Sequence, residues 1–383
     1  MNSRERVVKS LNYEEPDRIP IDIGSPVTSF HIESYMELRK YLGFQLNEVK
    51  IIDHVMQTVK AEEDILQRFH SDTRHVFIRP AKLIKKISHL VYEDEWGIRT
   101  TKPASSHYFD MIEYPLTNAN LDDLEKFNWP DPTDTKRIDG LKDETKRLYE
   151  SCPYALVLNG FSETFFGLPS WLRGHQQFYM DLLLNPKFVN NLLDKLLNYW
   201  ETLAEIVLEL IGEYIQVVRV ADDLGTQRGL IISPQLYRKY IKPKQKEFYS
   251  FIKERTDAKL LIHSCGSIYE IIPDLIEIGI DVINPVQVSA KNMDSLKLKK
   301  EFGGKLGFWG GGCDNQHILP CETPKKVEKE VKKRISDFAP GGGFIFAPIH
   351  NIQYDVPPEN ICKLFDTVLK VGKYPLKNIN SIK

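Results

Sequence analysis

The sequence lacks several features that would assign it to a special class of protein. It has no apolar run long enough to span a bilayer, and its first residues, 1–6, are polar instead of forming the apolar core of a secretion signal. Lys and Arg number 51 against 53 Asp and Glu, so the formal charge of -2 does not indicate a nucleic acid or an anionic membrane as partner. We therefore expect a cytoplasmic globular protein that binds neither.

Cysteine is also scarce. The sequence likewise lacks segments that would divide it into separate domains. The five cysteines are an odd number without tight spacing, which argues against a disulfide framework and favours reduced thiols that are free to bind metal. The chain contains no linker, low-complexity tract or internal repeat that would require a second domain. Its length suits one α/β barrel with insertions, so residues 1–383 are predicted to form a single domain.

From residue 154 onward, apolar runs alternate with segments of helical period, as is typical of repeated βα units. Three of the helices begin with a capping residue followed by proline, at Asn185, Ser233 and Thr323. Two earlier runs, at 16–24 and 75–80, raise the number of predicted strands to eight, and eight right-handed βα units predict a parallel (β/α)8 TIM barrel. The later runs are 154–159, 215–221, 259–264, 281–286, 306–309 and 344–349.

The first part of the chain carries additions to this barrel. Helices are predicted at 3–12 and 32–41, and residues 47–70 have mostly helical spacing. Residues 86–101 alternate in polarity, which predicts a β-hairpin over one end of the fold. The prolines between 115 and 137 favour a loop with about one helical turn.

A histidine and a cysteine two residues apart end the run at 259–264. Residues i and i+2 of a strand point to the same side, so His263 and Cys265 are expected to face one space, as a pair of zinc ligands would. Cys313 and His350 follow two later runs and are further candidate ligands. A packed histidine and a buried thiol are the alternative for any one of these pairs.

The barrel prediction brings further polar residues to the same place, since catalysis in such barrels occurs at the C-terminal ends of the strands. Asp223 is the candidate proton donor and Asp222 a candidate group for orienting a ligand, with a helix-capping loop as the alternative. Asn159 and Gln353 are candidates for binding a polar group of the substrate, with loop hydrogen bonds as the alternative.

Eight short motifs spread over nearly the whole chain share a pattern with one enzyme superfamily. They are Pro16-Asp-Arg-Ile-Pro, Asp94-Glu-Trp-Gly97, Trp171-Leu-Arg-Gly174, Asp222-Asp-Leu-Gly225, Ser233-Pro-Gln-Leu-Tyr-Arg-Lys-Tyr240, His263-Ser-Cys-Gly266, Gly310-Gly-Gly-Cys-Asp314 and Val356-Pro-Pro-Glu-Asn360. With these motifs the chain resembles the uroporphyrinogen decarboxylase superfamily and, within it, the cobalamin-dependent methyltransferases.

The resemblance implies a zinc ion held by the H-x-C pair, His263 and Cys265, and by a later cysteine. In the methyltransferases that cysteine lies near the last strand, where this chain has His350 instead. Cys313 is preferred as the third ligand, since thiolate binds zinc more strongly than imidazole where the geometry allows. His350 is the alternative third ligand, or else a catalytic residue that positions the substrate.

The resemblance also implies a reaction in which a methyl group moves between a small molecule and the cobalt of a corrinoid. The chain has no D-x-H-x-x-G run of the kind that cobalamin-binding domains carry, so the corrinoid is expected on a separate partner protein. Trp96, Trp171, Phe165, Phe166 and Tyr354 are candidate walls for an aromatic donor and favour O-demethylation of a methoxylated aromatic compound, with plain packing as the alternative.

The alternative activity is that of a metal-free lyase like uroporphyrinogen decarboxylase itself. A porphyrinogen with eight carboxylates calls for arginines on the first strand and the following loop, and residues 21–31 contain none. Asp22 lies there instead, and the H-x-C pair would have no function in that reaction. The sequence therefore favours the methyltransferase.

Overall fold

The computed structural model describes residues 1–376, so the last residues of the predicted single domain lie outside the described part. The strands are β1 (Phe30–His31), β2 (Ile51–Asp53), β3 (Thr58–Val59), β4 (Thr73–Phe77), β5 (Lys85–Lys86), β6 (Val91–Glu93), β7 (Arg99–Thr101), β8 (Asp110–Glu113), β9 (Ala155–Phe161), β10 (Val217–Ala221), β11 (Lys259–His263), β12 (Val282–Asn284), β13 (Gly307–Trp309) and β14 (Phe344–Ile345). The helices are α1 (Ser3–Leu11), α2 (Ile32–Tyr41), α3 (Glu63–Arg68), α4 (Leu121–Lys126), α5 (Leu141–Ser151), α6 (Gly167–Arg173), α7 (His175–Leu184), α8 (Pro186–Ile211), α9 (Pro234–Leu236), α10 (Lys242–Lys253), α11 (Ile272–Glu277), α12 (Ser295–Phe302), α13 (Pro324–Phe338) and α14 (Pro358–Val371).

Seven parallel strands form a curled sheet in the order β14-β13-β12-β11-β10-β9-β4. The segment around Ile21 joins the two edges of this sheet. Ile21 forms a parallel bridge with Phe346, just after β14, and the Ile21 carbonyl accepts the backbone N–H of Asp72, just before β4, at 2.7 Å. The predicted (β/α)8 barrel is therefore confirmed, with the first strand reduced to a short bridging segment.

The first strand is shorter than predicted because proline removes backbone donors from it. Pro16 and Pro20 have no N–H to give to a ladder. A buried carboxylate holds the segment in place instead: Asp72 accepts hydrogen bonds from the Ile21 backbone N–H and from the side chains of Arg6 and Arg18. Side-chain contacts thus replace part of the missing ladder.

The barrel is filled by side chains and closed at one end by α1. Val7 and Leu11 of α1 are buried against the inward-facing residues of the strands. The opposite end, where the parallel strands finish, carries the polar side chains described below, so α1 closes the end away from the candidate site. The strand and following residues in this apolar layer are Ala155, Val157, Val217, Leu261, Val282, Trp309, Ile345 and Ala347.

The prediction of mostly helical structure at 47–70 is wrong in its first half. Residues 51–59 form a hairpin of β2 and β3, and only α3 is helical. Ile51, Ile52 and Val59 are β-branched and favour a strand, and Asp53 caps the turn by accepting the Met56 N–H at 2.7 Å. The β-branched residues and the turn at Asp53 thus determine a hairpin here, although the apolar residues have helical spacing.

The predicted β-hairpin at 86–101 belongs to a larger antiparallel sheet. Strands β5 to β8 pair in sequence order over residues 85–113. The segment between 115 and 137 contains α4 and one 3-10 turn, close to the predicted loop with one helical turn. Among the described helices, none has the length and apolarity that a bilayer crossing requires.

Candidate functional site

Three of the predicted ligands meet at the C-terminal end of the barrel. His263 ends β11, Cys265 follows it, and His350 lies in the loop after β14. One donor atom of each lies within 4.8 Å of those of the other two, and the Cys265 Sγ is 3.5 Å from the His263 Nε2. The two imidazole rings are 5.6 Å apart between centroids. This spacing suits three ligands around one metal ion, with a further position left for a substrate.

The neighbouring strand β12 fixes the orientation of His263. The His263 Nδ1 lies 2.5 Å from the Asn284 Oδ1, and the Asn284 Nδ2 donates to the Trp309 carbonyl at 2.9 Å. Because the amide nitrogen is committed to that carbonyl, the amide oxygen faces the imidazole and accepts a proton from Nδ1. The Nε2 of His263 therefore carries its lone pair toward Cys265, as a metal-binding histidine requires.

Asn351 has the same relation to His350. The His350 Nδ1 bonds to the Asn351 Oδ1, and the Asn351 Nδ2 donates to the Thr58 Oγ1 at 3.0 Å. The second imidazole is thus also held with its proton on Nδ1 and its lone pair on Nε2. Burial lowers the pKa of both histidines, of His263 well below its usual value, and so favours the neutral imidazole that a metal ion binds.

Asp223, the candidate proton donor, lies beside His263 and Cys265. Its Oδ1 accepts the backbone N–H of Cys265 at 2.8 Å and lies 3.8 Å from the His263 Nε2. The Asp223 side chain is 45% exposed, so it is accessible from the barrel mouth. Burial and the charges of Asp223 and Glu163 raise the pKa of the Cys265 thiol well above its usual value. A thiolate at this position requires a cation beside it.

Cys313 is not brought to the other three residues. Among residues 1–376, the group of candidate ligand atoms comprises His263, Cys265 and His350. Cys313 is fully buried in the main hydrophobic core. Burial and the charge of Glu330, on α13, raise its pKa well above the usual value. Its sulfur is thus buried in the core near α13, apart from the other candidate ligands.

Asp222, one residue before Asp223, is fully buried and hydrogen-bonded on all sides. Its carboxylate holds the loop between β9 and α6 and links that loop to α10. The carboxylate lies at the start of α6, where backbone N–H groups have no intrahelical partner. The donors are the Thr164 Oγ1, the backbone N–H groups of Phe165, Phe166 and Gly167, and the Gln245 Nε2. These contacts are those of an internal anchor for the loop.

The two predicted substrate-binding amides differ in their surroundings. Asn159 lies in β9 and donates to the His75 Nδ1 at 3.0 Å, while its buried Oδ1 has no partner among the described residues. Gln353 donates to the Asn351 carbonyl at 3.0 Å and accepts from the Tyr108 hydroxyl. Gln353 therefore joins the loop that carries His350 to the antiparallel sheet. Asn159 thus lies in the second half of β9 and Gln353 in the loop after β14, and their binding of a substrate stays a prediction.

A cavity of about 450 Å³ opens beside Cys265 and His350. All of its lining side chains are uncharged apart from the titratable Cys265 and His350 themselves, and five of them are amides. None of the five predicted aromatic wall residues lines it. Trp96 and Trp171 line a separate cavity of about 220 Å³, Phe165 and Phe166 are buried, and Tyr354 is exposed and stacks on His107. The amides are Gln227, Gln287, Asn315, Gln316 and Gln353.

Three charged residues near the ligands were missed by the sequence reasoning. Arg219 lies in β10, Glu163 follows β9, and Asp53 ends β2. Burial, reinforced by Asp223 and Asp222, raises the pKa of Glu163 well above its usual value, and burial also raises that of Asp53. Arg219 could have been found, because an arginine in the run Val217-Val-Arg-Val-Ala221 is unusual for a buried strand. Asp53 could not, because its segment was assigned to a helix.

Comparison with known proteins shows the family of this chain and a fold that it shares with solved structures. The uroporphyrinogen decarboxylase (URO-D) family matches residues 110–371. A uroporphyrinogen decarboxylase of Ruthia magnifica subsp. Calyptogena magnifica is 24% identical over 196 residues, which cover 49% of this chain and 51% of that protein. One of Vesicomyosocius okutanii subsp. Calyptogena okutanii is 33% identical over 81 residues, 21% of this chain and 23% of that protein. The chain thus spans about half or less of the length of these relatives.

Among solved structures, a methyltransferase from Methanosarcina mazei superimposes with a TM-score of 0.68. The match covers 97% of this chain and 99% of the methyltransferase, at 16% sequence identity. At an identity this low, the match establishes the shared fold alone. The chemistry has to be argued from the residues of the site.

Proposed function

The chain belongs to the uroporphyrinogen decarboxylase family, and on that premise we propose that it is a zinc-dependent methyltransferase. In this proposal it moves a methyl group between a small-molecule donor and the cobalt of a corrinoid. The observation that carries the proposal is the group formed by His263, Cys265 and His350. Decarboxylation of a porphyrinogen requires no such group, whereas a methyltransferase that activates an oxygen or sulfur atom does.

The donor set fits zinc in both chemistry and orientation. Imidazole nitrogen and thiolate sulfur are the ligands that zinc prefers, and three protein ligands leave one position for a substrate. Asn284 and Asn351 hold both imidazoles with the Nε2 lone pair directed into the group. A packed, merely structural histidine pair would not need two separate amides to set the same tautomer. The fit therefore rests on the outer contacts as well as on the ligands.

We propose His350 as the third ligand in place of Cys313. The expectation for Cys313 depended on the greater affinity of thiolate, but affinity matters only where the sulfur can reach the metal. Cys313 lies in the hydrophobic core, while His350 lies with His263 and Cys265. His350 is also the residue that follows the last strand, where the related methyltransferases have their cysteine.

The proposed metal and the residues around it then have defined tasks. When bound, zinc supplies a Lewis acid that polarises the oxygen or sulfur atom bearing the methyl group. Asp223 holds or delivers the proton that this atom gains when it loses the methyl group. Its position, 3.8 Å from the His263 Nε2 and 45% exposed, allows it to meet a substrate in the mouth. The Cys265 N–H holds the Asp223 carboxylate in that place.

The cobalt acceptor is proposed to come from a partner protein. The 383 residues contain no D-x-H-x-x-G run for cobalamin. A corrinoid protein would dock at the C-terminal end of the barrel, since that is where the proposed ligands lie. O-demethylation of a methoxylated compound remains one form of the proposed reaction.

Decarboxylation is the alternative activity, and it is the one named for the curated relatives. The cavity beside Cys265 is lined by uncharged amides, and residues 21–31 contain no arginine. Asp22, in that region, is buried and accepts hydrogen bonds from His75 and Trp309. A substrate with eight carboxylates needs several cations, so these features favour the methyltransferase.

The proposal is tested by measuring metal and methyl transfer on the same sample. Protein purified without chelators is expected to contain about one zinc per chain by elemental analysis. The loaded protein should form methylcobalamin from cob(I)alamin and a methoxylated donor, measured by its absorbance spectrum. Protein that holds no zinc after incubation with zinc, and that converts uroporphyrinogen to coproporphyrinogen, would replace this proposal with the lyase.

Replacement of the orienting amides should weaken zinc binding without removing a ligand. Asn284→Leu and Asn351→Leu each free an imidazole from its Oδ1 partner, and we expect zinc affinity to fall by about 10- to 100-fold. The measurement is competition with a chromophoric chelator. Asn191→Leu is the matched control, because within residues 1–376 its amide bonds only to the Lys187 carbonyl, on the exposed surface of α8. Unchanged affinity in both amide variants would separate these residues from the metal site.

A further inference from the structure

Arg219 is a buried cation with few partners at the base of the barrel mouth. It lies in the middle of β10, between Val218 and Val220, and it is 5% exposed. Its guanidinium makes one hydrogen bond within residues 1–376, from Nη1 to the Ser162 Oγ at 3.2 Å. The Nε is buried and has no partner among the described residues. A guanidinium has five N–H groups, so most of its donors are left without a protein acceptor.

No ion pair compensates this charge within the described residues. No carboxylate oxygen lies within 4.0 Å of the Arg219 nitrogens in the described part of the chain. Glu163, Asp223 and Asp53 act on Arg219 only from a longer distance. A buried charge without a partner is costly, and proteins retain one where a ligand or a reaction uses it.

The position of Arg219 relates it to the proposed zinc ligands. Arg219 pairs with Leu261 of β11, and His263 lies two residues further along that strand, so the side chains of Arg219 and His263 point to the same face of the sheet. Its hydrogen-bond partner Ser162 lines the cavity that also contains Trp96 and Trp171. A molecule held by Arg219 would therefore have one end beside the metal-binding group.

We propose that Arg219 binds a carboxylate of the methyl donor, so that the substrate is a small organic acid bearing the methyl group at its other end. This inference rests on the proposed methyltransferase function. The planar guanidinium fork matches a carboxylate with two parallel hydrogen bonds, which no amide of the larger cavity can provide with a charge. One arginine suits one carboxylate, in contrast to the many of a porphyrinogen.

The test uses the zinc-loaded protein and two small acids, acetate and 3-methoxybenzoate, each compared with its neutral amide by titration calorimetry. In the wild type, at least one acid is expected to bind at least about ten times more tightly than its amide. In Arg219→Met this preference should fall to about one, and Arg219→Lys should recover part of it. Equal affinity of acid and amide, or no binding of either acid, would overturn the inference.

Two controls separate the role of Arg219 from those of the metal and of the fold. Arg228→Gln removes an exposed positive charge beside the same mouth and should leave the preference unchanged. Zinc content should stay the same in all Arg219 variants, so a preference that persists in Arg219→Met belongs to the metal and contradicts the inference. A wild-type protein that binds no zinc would instead contradict the proposed function.

The unfolding temperature of Arg219→Met distinguishes a binding role of Arg219 from a structural one. Replacing an unpaired buried charge with an apolar side chain of similar length is often neutral or stabilising. Arg219→Met should therefore unfold at a temperature no lower than the wild type. A clear drop in the unfolding temperature together with an unchanged acid preference would make Arg219 a structural residue.

Discussion

Cys265→Ala should remove most of the bound zinc, and Cys313→Ala should leave it bound. Cys265 supplies the sulfur of the three-residue group, 3.5 Å from the His263 Nε2, and alanine offers no replacement. Loss of a ligand affects the metal more than the 10- to 100-fold expected for an outer contact, so we expect affinity to fall on the order of 10³-fold. His350→Ala should have a similar effect. Elemental analysis after gel filtration measures the retained zinc.

Cys313→Ala is the matched control because it removes a thiol from the buried core instead of the mouth. It should reduce stability modestly through the lost packing and leave about one zinc per chain. The opposite result, with zinc lost in Cys313→Ala and kept in His350→Ala, would restore Cys313 as the third ligand. Methyl transfer to cob(I)alamin, measured on the same samples, should follow the zinc content.

Asp222→Ala should destabilise the protein more than any other substitution at the barrel mouth. The Asp222 carboxylate accepts from three backbone N–H groups, from Thr164 and from Gln245, all of them buried. Without it these donors stay in the interior without an acceptor, which should cost about 3–5 kcal/mol of unfolding free energy. Chemical denaturation, followed by tryptophan fluorescence, measures this loss.

The adjacent Asp223 provides the contrast. Asp223→Ala changes a side chain that is 45% exposed and should cost less than about 1 kcal/mol of unfolding free energy. Its effect should fall on methyl transfer instead, with a rate reduced by about 100-fold or more. Asp222→Asn keeps the volume but turns an amide donor toward backbone donors, so its stability should lie between those of the wild type and Asp222→Ala. Equal stability of the two alanine variants would remove the distinction between anchor and proton donor.

Local periodicity determined much of this protein from the sequence alone. Apolar runs of strand length, separated by helices with proline at their starts, predicted the barrel, and the i, i+2 spacing of His263 and Cys265 predicted a shared direction. The position of Asp223 at a strand end placed it at the mouth. These features depend on a few neighbouring residues, so they can be derived before any long-range contact is known.

The tertiary structure decided the features that depend on residues far apart in the chain. Asn284 orients His263 from the next strand, and Asn351 is itself fixed by Thr58, almost 300 positions away. The separation of Cys313 from the other ligands depends on how the loop after β13 packs, which spacing does not report. Arg219 is visible in the sequence as a charge in an apolar strand, but the absence of an ion-pair partner for it among residues 1–376 is not. Whether a polar group is paired or free is settled by the strands and loops that surround it, and so only the folded chain determines it.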